Sequence, residues 1–210
     1  GVVFPYDTVK VEFLLHAAAV HFDIQNLKGE NKDIVRIKSN GAEEAYKQLL
    51  ADKADIAVLW EPYVTKALAT KNYTKILSSA DTARLIVDVL LVNRDYGVKH
   101  PDVVAVVLRN YFRTLKFYRD SPAELRAELK EELNLSEEAV QSMMDGVSWQ
   151  TLNANARTWF GIANAGESSS EDIIDTIDTS LDILKEAKIL DRNPLPSENP
   201  YIILNKEFVR

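Results

Sequence analysis

The sequence predicts an α/β fold over its first part and a mostly helical remainder. Three observations lead there. Short apolar, β-branched runs alternate with amphipathic stretches over residues 1–85. Helical periodicity dominates residues 95–210, and one strand-like run, Ile86 to Asn93, joins the two regimes. Strands alternating with helices in this order imply a parallel sheet with helices packed on it.

Gly1 to Phe4 is a short apolar run closed by Pro5 and reads as a strand. Asp7 or Thr8 can cap the next segment, where Val11, Leu14, Leu15, Ala18 and Ala19 recur at helical spacing. Ile34 to Ile37 is a second β-branched run. Asn40-Gly41 marks a turn, and Ala42 to Asp52 reads as helix. Ala54 to Trp60 is a third strand, and Pro62 sits in the first turn of a short helix ending near Thr70. Thr74 to Leu77 is a fourth strand candidate.

In the second part, His100-Pro101 opens a long helix with Val104, Val107, Leu108, Tyr111, Leu115 and Tyr118 on one stripe. Ser121-Pro122 starts another helix. Ser136 caps a third, whose first turn holds Glu137 and Glu138, favourable for the helix dipole. Ser168 to Glu171 fits a capping box that leads a helix with Ile173, Ile174, Ile177, Leu181 and Leu184. Three prolines between Asp191 and Pro200 mark an irregular segment, and Tyr201 to Leu204 is an edge-strand candidate.

At 210 residues, 46% of them apolar and 27% charged, the chain can bury a substantial core. The formal net charge is −7 with no basic block, which argues against phosphate-backbone binding and hence a nucleic-acid role. Zero cysteines exclude a disulfide scaffold, a cysteine-ligated metal and a thiol nucleophile. No apolar run approaches the roughly 18 residues of a membrane span. No signal-peptide pattern opens the chain at Gly1.

The sequence holds no phosphate-cradling glycine loop, nucleophile elbow or zincin motif. His16 and His21 lie five apart, off a shared helix face, and His100 before Pro101 reads as a helix cap. Glu43-Glu44, Glu131-Glu132 and Glu137-Glu138 are adjacent on helices and diverge, so they read as solvated faces. No catalytic set, metal site or cofactor is expected.

Two strand-to-helix turns stand out. Tyr6, Asp7 and Thr8 follow the first strand; Trp60, Glu61 and Tyr63 follow the third. In an open α/β sheet, ligands sit at the carboxyl ends of strands beside helix N-termini. Both turns would share that edge, with an aromatic wall and a carboxylate anchor. A third cluster runs from Ser148-Trp149-Gln150 through Asn153 and Asn155 to Trp159-Phe160-Gly161, and reads as a packed helix end or a binding loop.

Asp55-Ile56-Ala57-Val58-Leu59-Trp60-Glu61-Pro62-Tyr63 resembles a segment of the solute-binding proteins of ABC importers, in the nitrate/sulfonate/taurine and pyrimidine-precursor branch. Asp88 to Tyr96, followed by His100-Pro101-Asp102-Val103-Val104, is similar to that family's return strand and helix start. Trp149 to Gly161 is similar to a further family segment, and Val3 to Thr8 sits where its second lobe begins. The resemblance spans nearly the whole chain through the order and spacing of these segments.

It implies a type II periplasmic-binding-protein fold: a complete βα lobe over 1–85, a hinge strand over 86–94, and a helical part, 95–210, returning to the other lobe. It also implies that about a hundred residues of the first lobe are missing before Gly1. The implied function is an extracytoplasmic, periplasmic or membrane-anchored, non-enzymatic binding protein. Its partners would be a small polar ligand and an ABC permease, and it would act as a monomer. The implied ligand-binding residues are Tyr6, Asp7, Thr8, Trp60, Glu61, Tyr63 and Asn155. A carboxylate at a helix N-terminus competes with an anion for the same dipole. Asp7 and Glu61 therefore favour an amine-bearing ligand or a neutral heterocycle over nitrate or sulfate; nitrate binding tighter in calorimetry would reverse that expectation. Alternatives of similar fold are a thiamine-pyrimidine-synthase-like enzyme, which the lack of cysteine disfavours, and the effector domain of a transcription regulator.

Overall fold

In the computed structural model, which describes residues 2–4, 13, 35–70, 72–82, 84, 86–166 and 168–209, three short strands pair in parallel. β1 (Val2–Phe4) is central, with β2 (Arg36–Lys38) on one side and β3 (Ile56–Ala57) on the other. Val3 lies opposite Ile37 in one ladder and Ala57 in the other. The chain thus steps from β1 to one neighbour, then crosses back to the opposite side. Such a change of side beside a central strand is the kind of switch point at which open α/β sheets place ligands.

Helix α1 (Ala42–Leu50) follows β2 through Gly41, whose φ of 101° suits a residue without Cβ. Ala42, Ala45 and Leu49 form its buried face, at the three- and four-residue spacing of one helix side. Ala45 and Ala54 centre the core of this region, with Ile37, Ala57 and Leu59 packed against them. Small residues let the helix approach the sheet closely. The Tyr73 hydroxyl donates to the Leu49 carbonyl at 3.0 Å, tying the later loop to the end of α1.

On the exposed face of α1, Lys47 Nζ lies 2.6 Å from Glu43 Oε1. This hydrogen bond and the ammonium charge hold the Glu43 carboxyl below its usual value. The same bond holds Lys47 above its usual value. Glu43 therefore contributes above the ordinary carboxylate range, and loses that contribution as pH falls through its lowered folded value. Lys47 contributes below the ordinary lysine value, and loses it as pH rises through its raised one. An NMR titration is expected to find Glu43 ionising at lower pH than a free glutamate, and Lys47→Met is expected to move it up toward the ordinary range, with Tyr63 and Lys66 still holding it down in part. An unmoved Glu43 in the variant would refute the pairing in solution.

After β3 comes helix α2 (Tyr63–Leu68), then a turn of 3₁₀ helix at Ser79–Asp81. The ladder at β3 spans two residues, Ile56 and Ala57 opposite Val2 and Val3, against the expected Ala54 to Trp60. Thr74 to Leu77 and 87–93 pair with no strand among the described residues, and Tyr201 to Leu204 falls largely in a turn. The expected hinge strand is thus an unpaired segment in this structure. β-propensity becomes a strand only where a neighbour supplies the ladder, and β1 is already flanked on both sides.

The chain divides into two units, 1–86 with 178–193, and 87–177 with 194–210. The second unit is helical: α3 (Arg94–Lys99), α4 (Pro101–Asp120), α5 (Pro122–Leu133) and α6 (Glu137–Asp145). Asn93 caps α3 by accepting the Tyr96 N–H at 3.1 Å. His100 ends α3 and precedes α4 as expected of a cap; its ring lies 4.6 Å from that of Tyr96, and its side chain makes no capping bond. Pro101 and Pro122 open their helices, where the missing N–H costs nothing. Asn134 turns left-handed (φ 49°) to end α5. Ser136 Oγ accepts the Ala139 N–H at 3.2 Å, so its cap forms as the sequence predicts. Val140 is fully buried beneath α6. Helix α7 (Leu152–Ala154) runs into a π turn, Asn155–Trp159, and α8 (Asp172–Glu186) follows. The first residues of α8 belong to the second unit and its remainder to the first.

Candidate functional site

In the first unit, the parallel order brings the segments that follow β2 and β3 to the carboxyl edge of the sheet. Tyr6, Asp7 and Thr8, which follow β1, lie outside the described residues. Ser39 directly follows β2. It is 2% exposed, and its Oγ has no hydrogen-bond partner among the described residues. Thr65 Oγ1, in the first turn of α2, is buried and equally unpartnered. Buried hydroxyls without partners are uncommon, and each costs about 1–3 kcal/mol.

Trp60 is partly exposed at the end of the β3 segment, and its carbonyl accepts the Tyr63 N–H at 3.0 Å. Glu61 is half-buried, and its Oε2 accepts the Thr65 N–H at 3.1 Å. That carboxylate oxygen serves the open N-terminus of α2, a favourable position for a negative charge. The Tyr63 ring packs on Tyr46 with centroids 5.7 Å apart, and Lys66 Nζ lies 5.0 Å from its centre. Desolvation, aided by the Glu43 carboxylate, raises the Tyr63 hydroxyl above its usual value. Glu61 and Tyr63 thus hold the turn onto its helix as well as lining the sheet edge.

In the second unit, the Trp149–Gly161 segment closes a cleft of about 490 Å³, lined by Thr151, Asn153, Ala154, Arg157, Thr158 and Ser168 to Ser170. Its floor is the π turn, in which the Phe160 N–H reaches back to the Asn155 carbonyl at 3.0 Å. Such turns are rare and concentrate at functional sites. The opposite wall is the serine run. Ser170 N–H donates to the Arg157 carbonyl at 2.9 Å, Ser170 Oγ to the Thr158 carbonyl at 3.1 Å, and Ser169 Oγ to the Gly161 carbonyl at 3.4 Å. Gly161 has φ 65°, and a Cβ there would meet Glu171 Cγ at 2.3 Å, so only glycine allows this approach. α8 begins at Asp172, so Ser168 to Ser170 build the cleft wall; the expected Ser168 cap gives way to these cross-links.

Arg157 donates to the Ser168 carbonyl at 3.3 Å and faces no carboxylate among the described residues. In a chain with 32 acidic and 25 basic residues, a cleft arginine without an acidic partner is conspicuous. Thr151 Oγ1 accepts the Ala154 N–H at 3.1 Å, which leaves its own proton to donate. A guanidinium fork with hydroxyl donors, and no lining carboxylate among the described residues, suits an oxyanion. Asn155 lies between lining residues, and its amide donates to the Thr151 and Gln150 carbonyls at 2.9 and 3.3 Å. Trp159 Nε1 donates to Gln150 Oε1 at 3.3 Å. Both therefore hold the loop. Arg157 and the serines escaped the sequence reading; the triple serine, eleven residues after an arginine, was the available signal.

Among the described residues, no group of histidine, aspartate or glutamate side chains could hold a metal ion, and no helix is long and apolar enough to cross a membrane. No family model, curated protein or solved structure matches the chain.

Proposed function

We propose that the chain is a solute-binding component of an ABC importer, working outside the cytoplasm. It takes up a small polar solute and hands it to the permease without chemical change. The observation that carries this reading is the carboxyl edge of the β2-β1-β3 sheet. A topological switch, an aromatic and carboxylate turn at Trp60 to Tyr63, and two buried hydroxyls without partners among the described residues coincide there. A resting catalytic constellation would need a nucleophile or base in contact with its activator, and a binding protein needs only donors, acceptors and an apolar wall.

Taken by itself, the Arg157 cleft of the second unit offers donors that suit an oxyanion such as an alkylsulfonate or taurine. Glu61 occupies the N-terminus of α2 through one carboxylate oxygen, so that helix end does not serve an anionic group. Thermal-shift measurements with taurine, methanesulfonate, nitrate, bicarbonate and free pyrimidines test the reading. A sulfonate is expected to raise the melting temperature in a saturable way, as binding to the folded state must. Melting curves indifferent to every member of that panel would refute it.

A further inference from the structure

The segment 87–93 of the second unit combines three properties seldom left together on a surface. It is strongly β-prone and apolar, it holds neither proline nor glycine, and it is unpaired. Val89, Leu90, Leu91 and Val92 are 57, 68, 85 and 49% exposed. Val87 to Val92 make no backbone hydrogen bond with another described residue. A row of open N–H and C=O groups on an apolar strand is a template for strand addition.

The charges on this segment select the strand that fits. Asp88 is its one charged residue, and Arg94 follows at the start of α3, where one guanidinium nitrogen donates to the Ile202 carbonyl at 3.3 Å and other N–H groups remain. In an antiparallel pairing of the segment with itself centred on Leu91, Asp88 of each copy falls opposite Arg94 of the other. Leu90 then faces Val92, and Leu91 faces its own copy on the two-fold axis. Centring on Asp88 would set two carboxylates face to face, which is destabilising. We propose that two copies of this chain pair through residues 89–93 as an antiparallel, isologous β-ribbon with Leu91 on the axis, Asp88 of each copy flanking it beside Arg94 at the α3 start of the other. This replaces the monomer expected from the sequence, and it is independent of what the chain binds.

The absence of native cysteine makes the test free of background. Residues facing each other across an antiparallel pair have Cβ atoms about 4.5–5.5 Å apart. L91C should therefore form a disulfide-linked dimer under mild oxidation. Two copies of residue 89 would lie about 13 Å apart along the ribbon, beyond disulfide reach. V89C is thus expected to cross-link at least about tenfold more slowly. Light scattering on the native chain should show a dimer that dissociates on dilution. D88R and R94D alone should each weaken it, and D88R/R94D together should restore it. Monomer at all concentrations, equal cross-linking at 89 and 91, or no rescue by the double reversal would each overturn the proposal.

Discussion

Arg157→Gln is expected to weaken binding of a sulfonate to the chain by about a hundredfold. The guanidinium can offer an oxyanion two parallel N–H donors, and hydrogen bonds to charged groups contribute about 1.5–3 kcal/mol each. Losing a pair at the lower end of that range removes about 3 kcal/mol, and each 1.4 kcal/mol is a factor of ten. Arg157→Lys keeps the charge and loses the fork, so an intermediate loss is expected. The Arg157 bond to the Ser168 carbonyl is exposed, so neither change should alter the melting temperature of the ligand-free chain much. Isothermal titration with methanesulfonate reads the effect. Full affinity in Arg157→Gln would remove the cleft from any account of binding.

Val140→Asp is expected to cost about 3–5 kcal/mol and to unfold the second unit under mild denaturation. Val140 has no solvent exposure and is the largest fully buried side chain of the described core. A carboxylate there would lose its hydration with no buried cation to meet it; the nearest basic side chains of this helix pair, Arg126 and Lys130, turn to Glu137 at 3.5 and 3.7 Å on the partly exposed rim. Val140→Ala removes only volume and should cost about 2 kcal/mol. Val147→Asp, at a residue 49% exposed just past α6, should change stability by less than about 0.5 kcal/mol. Urea unfolding followed by tryptophan fluorescence separates the three. Equal midpoints for Val140→Asp and Val147→Asp would contradict the packing of α6.

The long helices were legible from sequence because their signals are local. Pro101, Pro122 and Ser136 mark starts within one turn of the residues they serve, and the apolar stripe repeats every three or four positions. Strands were legible only as propensity. Val2–Phe4, Arg36–Lys38 and Ile56–Ala57 pair, whereas the equally β-prone Thr74 to Leu77 and the 87–93 segment do not. Nothing in a run of valine and leucine states whether a neighbour will lie beside it.

The candidate site divides in the same way. Trp60 to Tyr63 was found from its place after a strand, yet the use of Glu61 on the Thr65 N–H and the tilted packing of Tyr63 on Tyr46 depend on α1 and α2 in space. Arg157 drew no reading of its own and Ser168 to Glu171 read as a capping box; Arg157 and Ser168 to Ser170 become one cleft through hydrogen bonds spanning up to 13 positions of chain.

The sequence by itself determined the helices, the acidic balance and the exclusion of thiol chemistry, because each depends on composition or on residues within a turn of one another. Only the tertiary structure decided which apolar run found a ladder and, among the described residues, which hydroxyls at the sheet edge were buried without a partner and which arginine met no carboxylate. Burial and pairing are set by groups distant in sequence, and their energies follow separation in space.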